Sequence, residues 1–105
     1  DAVGVVVEVD GRTIYEVGDS CLRLDFAKEI PSPVDILIAP INGMYGNMDS
    51  NEAAELARAL KPRLTIPCHC GMFAFHGGDL KRFYDIMTDK DLSFLIMQQG
   101  EAYRF

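Results

Sequence analysis

The feature that most restricts this chain is its series of short aliphatic runs, separated first by a two-residue turn and then by stretches of helical periodicity. Residues 3–9 are almost continuously apolar and β-branched, carrying Val3, Val5, Val6, Val7 and Val9, which predicts a well-buried strand. Asp10-Gly11 follows, a dipeptide suited to the positive φ of a type I′ turn, so residues 13–17 return as a second strand. Ile36, Leu37, Ile38 and Ala39 form a further run stopped by Pro40 and read as a central parallel strand; Leu64, Thr65 and Ile66 form another. Leu22, Phe26 and Ile30 recur at helical spacing up to Pro31 and Pro33. Asp49 and Glu52 make a capping-box pair ahead of an apolar face of Ala53, Leu56, Ala57 and Leu60, which Pro62 ends. Leu80, Phe83, Tyr84 and Met87 then lie at i, i+3, i+4 and i+7. Residues 92–97 and 102–105, with a turn near Gln99-Gly100, predict a terminal hairpin. A hairpin followed by alternating units implies an α/β chain of the α+β sandwich type: a mixed sheet with about three helices on one face and the other face bare.

One domain with a single core suits 105 residues, and no repeat, low-complexity stretch or linker divides them. The net charge of -6, with ten scattered basic residues, disfavours nucleic acid as a partner. No apolar run approaches the ~20 residues needed to cross a bilayer, and Asp1-Ala2-Val3 is no signal peptide, so no membrane role is expected. Three cysteines, Cys21, Cys68 and Cys70, make an odd count without framework spacing, which predicts a reducing, cytoplasmic setting. Entry into a strand-like run almost at the first residue, with no initiator Met, predicts a fragment or a processed product.

Chemistry concentrates where the runs end. Gly18-Asp19 places a carboxylate just past a strand, where open α/β sheets form ligand crevices; on this motif alone, capping the following helix is the readier role for Asp19. In Pro67-Cys68-His69-Cys70-Gly71 an extended backbone would aim His69 opposite to Cys68 and Cys70, so His69 faces the crevice and the two thiols pack as small apolar groups. A structural histidine is the competing reading. The C-x-C spacing fits neither a thiolate zinc site nor a redox pair, both of which favour C-x-x-C. Asp19 and His69 fall on one sheet edge, and a carboxylate with an imidazole suits Zn²⁺, Mn²⁺ or Fe²⁺. Two ligands do not make a catalytic metal site, so either there is none or further ligands lie elsewhere. Asn42 and Asn47, in a loop with Gly43 and Gly46 at a third strand end, are candidate substrate contacts, or simply loop residues. His76, in Phe73-Ala74-Phe75-His76-Gly77-Gly78, is a candidate for the pocket mouth or an exposed structural residue. Gly77-Gly78 lacks the spacing and Lys of a phosphate loop.

The ordered set of Gly18-Asp19-Ser20, Ile38-Ala39-Pro40-Ile41-Asn42-Gly43, Asn47-Met48 and Ile66-Pro67-Cys68-His69-Cys70-Gly71-Met72-Phe73 resembles the metallo-β-lactamase superfamily. Within it, the likeness is greatest to the L-ascorbate-6-phosphate lactonase-like metallo-hydrolases and extends to Gln99-Gly100-Glu101-Ala102-Tyr103-Arg104-Phe105. The resemblance implies half of an αββα sandwich spanning residues 1–105, with Asp19 bridging two divalent metals and His69 a terminal ligand to one. It implies zinc or manganese, or iron, and cations that activate a water and polarise a lactone, ester or phosphoester, a sugar-phosphate lactone among them. Family members draw further ligands from an earlier His-x-His-x-Asp-His motif and another His; here the histidines are His69 and His76. The chain alone is therefore expected to be inactive and to need an N-terminal half, another chain or homo-oligomerisation to complete it. The alternative is a non-catalytic binding or assembly module that keeps the half-fold without metal.

Overall fold

The computed structural model describes residues 3–105; Asp1 and Ala2, on which part of the reading of the chain's start falls, lie outside the described residues. Strands β1 (Val5–Val9) and β2 (Arg12–Glu16) form the expected hairpin, with Asp10 and Gly11 at φ 49° and 72° as a type I′ turn requires. Helix α1 (Leu24–Ala27), strand β3 (Ile36–Pro40), helix α2 (Ser50–Leu60), strand β4 (Leu64–Cys68) and helix α3 (Leu80–Asp89) follow in order. The sheet order is β1-β2-β3-β4, antiparallel only between the first two. The alternating units thus produce the mixed sheet that the sequence implies.

Period-two alternation and strand register divide the sheet into two unlike faces. Tyr15, Leu37 and Ala39 face the helix layer, where Ala53, Ala54, Leu56 and Ala57 of α2 meet Phe83 and Met87 of α3. Phe83, Leu37, Met48 and Met87 are fully buried there. On the opposite face, Val5, Val7 and Val9 are 49%, 45% and 48% exposed, so the first strand is not the well-buried one expected from its composition. Its physical situation explains the difference. β1 is the outer strand, and these valines point away from the helices. Phe105 returns beside Arg12, Ile36 and Leu64, and Ile36 and Ile66 are buried.

Two other expectations shrink. The helix predicted around Leu22, Phe26 and Ile30 is the single turn α1, capped by Arg23 without a side-chain hydrogen bond. Leu24 and Phe26 are exposed while Leu22 and Ala27 reach the core, so little burial supports a longer helix. The terminal hairpin reduces to one parallel bridge between Thr65 and Phe94, whose ring meets Phe83 and Tyr84 edge-on. Residues 102–105 form no strand; the Gln98 amide donates to the Tyr103 hydroxyl at 3.0 Å.

The capping box of α2 forms as read: Glu52 N–H donates to Asp49 Oδ1, and Asp49 N–H to Glu52 Oε2, each at 2.9 Å. Asp49 also pairs with Asn42 in an isolated antiparallel bridge, so the helix start anchors the Asn42 loop. Asp49→Ala is expected to cost about 0.5–2 kcal/mol, read as a lower urea midpoint with an unchanged slope.

Candidate metal centre

Three adjacent parallel strands end on one edge, and each delivers a polar residue. After β2, the Val17 amide donates to the Ile38 carbonyl at 3.0 Å, extending the parallel pairing by one residue. Gly18 then turns the chain at φ +73°, where a Cβ would run into the carbonyl oxygen of Val3. Asp19 emerges with its side chain 68% exposed. It does not cap a helix, since Arg23 occupies the cap position of α1. That removes the local structural role that competed with ligation.

After β3, the Ile41 amide bonds the Cys68 carbonyl at 3.1 Å, bringing Asn42 beside the end of β4. The loop closes on itself from Gly43 N–H to Met48 O, 2.9 Å, and is tied to the first strand end by Met48 N–H to Ser20 O, 2.9 Å. Asn42 is 9% exposed, and among the described residues neither its Oδ1 nor that of Asn47 has a hydrogen-bond partner. A buried acceptor without a donor is costly, and such groups mark places where a ligand or water completes the bonding.

After β4, His69 adopts φ +55°. The backbone there is left-handed, so the extended alternation that was expected to aim His69 stops at Cys68. The turn itself directs the imidazole, and the strained conformation is held by neighbours. Chief among these is Gly78 at φ +79°, where a Cβ would overlap the His69 carbonyl oxygen and lie 2.8 Å from Cys70 Cα.

These turns converge. Asp19 Oδ1 lies 3.4 Å from His69 Nδ1, and Asn47 Nδ2 is 3.2 Å from the same nitrogen. Asp19, Asn42, Asn47, His69 and His76, with Tyr45 and Met72, line one cavity of about 320 Å³. Every candidate residue therefore lines this one cavity. Tyr45 and Met72 add to the candidate residues read from sequence; their positions in Gly-rich loops flanking Asn47 and His69 are the available signal. Across Asn42 lies a second cavity of about 530 Å³, lined in part by Asp49, Ser50, Asp79 and Arg82.

In kind, the donors fit a divalent cation: an exposed carboxylate and a half-buried imidazole within contact, beside orphaned amide oxygens. In number, they do not suffice. Among the described residues no group of three or more His, Cys, Asp or Glu side chains converges. The thiols do not fill the gap. Burial, then the nearby Glu16, Cys70 and Asp19, push the Cys68 thiol up from 9.0 to about 12, and burial raises Cys70 as well. Cys70 packs against the core. Because the folded state favours the neutral Cys68 thiol, this contribution to stability is complete below pH 9.0 and is lost as pH rises towards about 12. At pH 8, Cys68 should be alkylated by iodoacetamide about a thousandfold more slowly than a free cysteine, while exposed Cys21 reacts readily; peptide mass spectrometry distinguishes them.

A beta-lactamase superfamily domain matches residues 2–69, from the hairpin through His69. The chain belongs to the metallo-β-lactamase superfamily. Among its relatives, a metal-dependent hydrolase of Pyrococcus abyssi is 32% identical over 103 residues, covering 96% of this chain and 45% of the relative. A metal-dependent hydrolase of Thermococcus kodakarensis is 35% identical over 100 residues, covering 93% and 44%. A solved metallo hydrolase of Ignicoccus hospitalis superposes with a TM-score of 0.76 at 25% identity, covering 93% of this chain and 43% of that one. The metallo-beta-lactamase fold protein YhfI of Bacillus subtilis gives a TM-score of 0.74 at 20% identity over 96% and 43%, a likeness of fold alone. The chain spans less than half the length of the curated relatives it matches. No helix among the described residues is long and apolar enough to cross a membrane.

Proposed function

We propose that this chain supplies one side of a metal-dependent hydrolytic site, with Asp19 and His69 as its ligands to a dinuclear divalent centre of zinc, manganese or iron. The observation that carries this reading is the 3.4 Å approach of Asp19 Oδ1 to His69 Nδ1 inside one cavity, each side chain delivered by a separate parallel strand end. The relatives' description as metal-dependent hydrolases supports it. Divalent ions there would supply a nucleophilic water near neutral pH and polarise the substrate oxygen. Asp19 contributes negative charge in a position open to solvent, Asn47 steadies the His69 ring, and the orphaned Asn42 Oδ1 is free to accept a hydrogen bond from substrate. His76 lines the same cavity, at the substrate side.

The remaining ligands come from further polypeptide, in the same chain or in another one. The half-exposed Val5, Val7 and Val9 on the sheet face opposite the helices provide an apolar surface for it, so residues 1–105 act as one half of the domain. Of the substrate classes that the family implies, we take lactones and esters first, since among the described residues this cavity is lined by Asp19, asparagines, histidines, Tyr45 and Met72 and by no Lys or Arg. The test is hydrolysis of simple lactones and esters by the intact protein. Chelation should abolish turnover and Mn²⁺ or Zn²⁺ should restore it; turnover unaffected by exhaustive chelation contradicts the proposal. The count of two ligands favours one other reading, an assembly module that binds no metal. That reading predicts stable self-association with no bound metal after equilibration with Zn²⁺.

A further inference from the structure

We propose that Tyr45, Met72, Phe73, Phe75 and His76 form a substrate-binding shelf at the mouth of the cavity that takes a flat, apolar acyl or aryl group. The enzyme's substrates are then hydrophobic-acyl or aryl esters and lactones, not sugar phosphates. This deepens the hydrolase reading and rests on it. The His76 ring is the centre of the cluster: Phe73 and Phe75 meet it edge-on with centroids 4.8 Å away, and Tyr45 does so at 5.4 Å. Phe73 and Phe75 stack on each other at 5.7 Å with 16° between their planes. Yet the cluster is open to solvent, with Tyr45 73%, Met72 63%, Phe73 52% and Phe75 68% exposed.

Packed aromatic rings that remain exposed are unusual on a soluble surface and mark binding sites. Their position decides which kind. Tyr45, Met72 and His76 belong both to the cluster and to the lining of the Asp19 and His69 cavity, so the apolar surface continues into the candidate reaction site. Rings that stay more than half exposed in such a cluster keep surface on which a flat ligand can stack. The loop that carries Phe73, Phe75 and His76 is also anchored at its base. A Cβ on Gly77 would lie 2.5 Å from the Asn42 carbonyl oxygen, and one on Gly78 would overlap the His69 carbonyl, so the loop base is seated on the same strand ends that carry the site. The nearby cation, Arg82, lines the other cavity, across Asn42.

The experiment compares methyl phenylacetate with methyl acetate as substrates of the intact, metal-loaded protein. In parallel, binding of the unreactive phenylacetamide is followed by NMR shifts of the His76 ring protons. The expected ratio of kcat/KM is at least about tenfold in favour of the phenylacetyl ester. Phe73→Ala with Phe75→Ala should bring that ratio towards unity and abolish saturable phenylacetamide binding, whereas Phe75→Leu should keep part of both. Binding of phenylacetamide without hydrolysis of either ester would remove the hydrolase reading and leave the shelf standing. Equal kcat/KM for the two esters, or no saturable binding to wild type, overturns the shelf. So does a change in oligomeric size in the variants with the substrate ratio intact, since the cluster is then a contact between chains.

Discussion

His69→Ala in the metal-loaded protein is expected to lower kcat/KM for a lactone or ester by at least about a hundredfold and to strip bound metal during dialysis, as read by elemental analysis. Asp19→Ala should do at least as much. The reason lies in what the two side chains have besides each other. Asp19 caps no helix, and its one ion-pair contact among the described residues is His69. His69 touches Asp19 and Asn47 at a single nitrogen and is 35% exposed. Neither group is needed by the core, so with all proteins compared metal-free both substitutions should leave the unfolding free energy within about 0.5 kcal/mol of wild type. Loss of function without loss of stability is the signature of ligation. Asn47→Ala, which only releases the imidazole, should lower metal affinity by a smaller factor, about 10–100-fold.

Gly78→Ala should behave in the opposite way and damage fold and site together. The methyl group would require φ +79° of an L-residue and would overlap the His69 carbonyl, with Cys70 Cα 2.8 Å away. A loss of roughly 2–4 kcal/mol is expected from urea unfolding, accompanied by weakened metal retention because His69 is displaced. Gly71→Ala separates the two contributions. Gly71 has φ +70° but nothing within 4 Å of a Cβ, so that substitution carries only the backbone strain, about 1–2 kcal/mol. Equal effects at the two positions would mean that the close approach of Gly78 to His69 is unimportant.

How much of this was legible depends on how local each signal is. The hairpin turn at Asp10-Gly11 and the Asp49–Glu52 box are written within four residues and formed as read. The strand ends followed from abrupt Gly and Pro breaks, which is why all five candidate site residues fall in one cavity. What failed was burial and what depends on it. The composition of β1 promised a buried strand, but composition does not say which strand lies at the edge or which face the helices cover. The helical spacing of Leu22, Phe26 and Ile30 was real, yet without a capping side chain or a core to meet it yields one turn. His69 lines the cavity, but not through the extended alternation read from sequence, which its positive φ ends. The aromatic shelf was hardest to see, because its residues come from two loops that only the seating of Gly77-Gly78 on Asn42 and His69 brings together.

Whether Asp19 and His69 hold one metal centre is decided by anomalous diffraction from crystals of the intact protein grown with Mn²⁺ or Zn²⁺. Shared ligation puts a metal peak within about 2.0–2.2 Å of both an Asp19 carboxylate oxygen and a His69 ring nitrogen, or two peaks joined by that carboxylate. Asp19 and His69 paired only with each other, with metal absent or bound at another place, would contradict it.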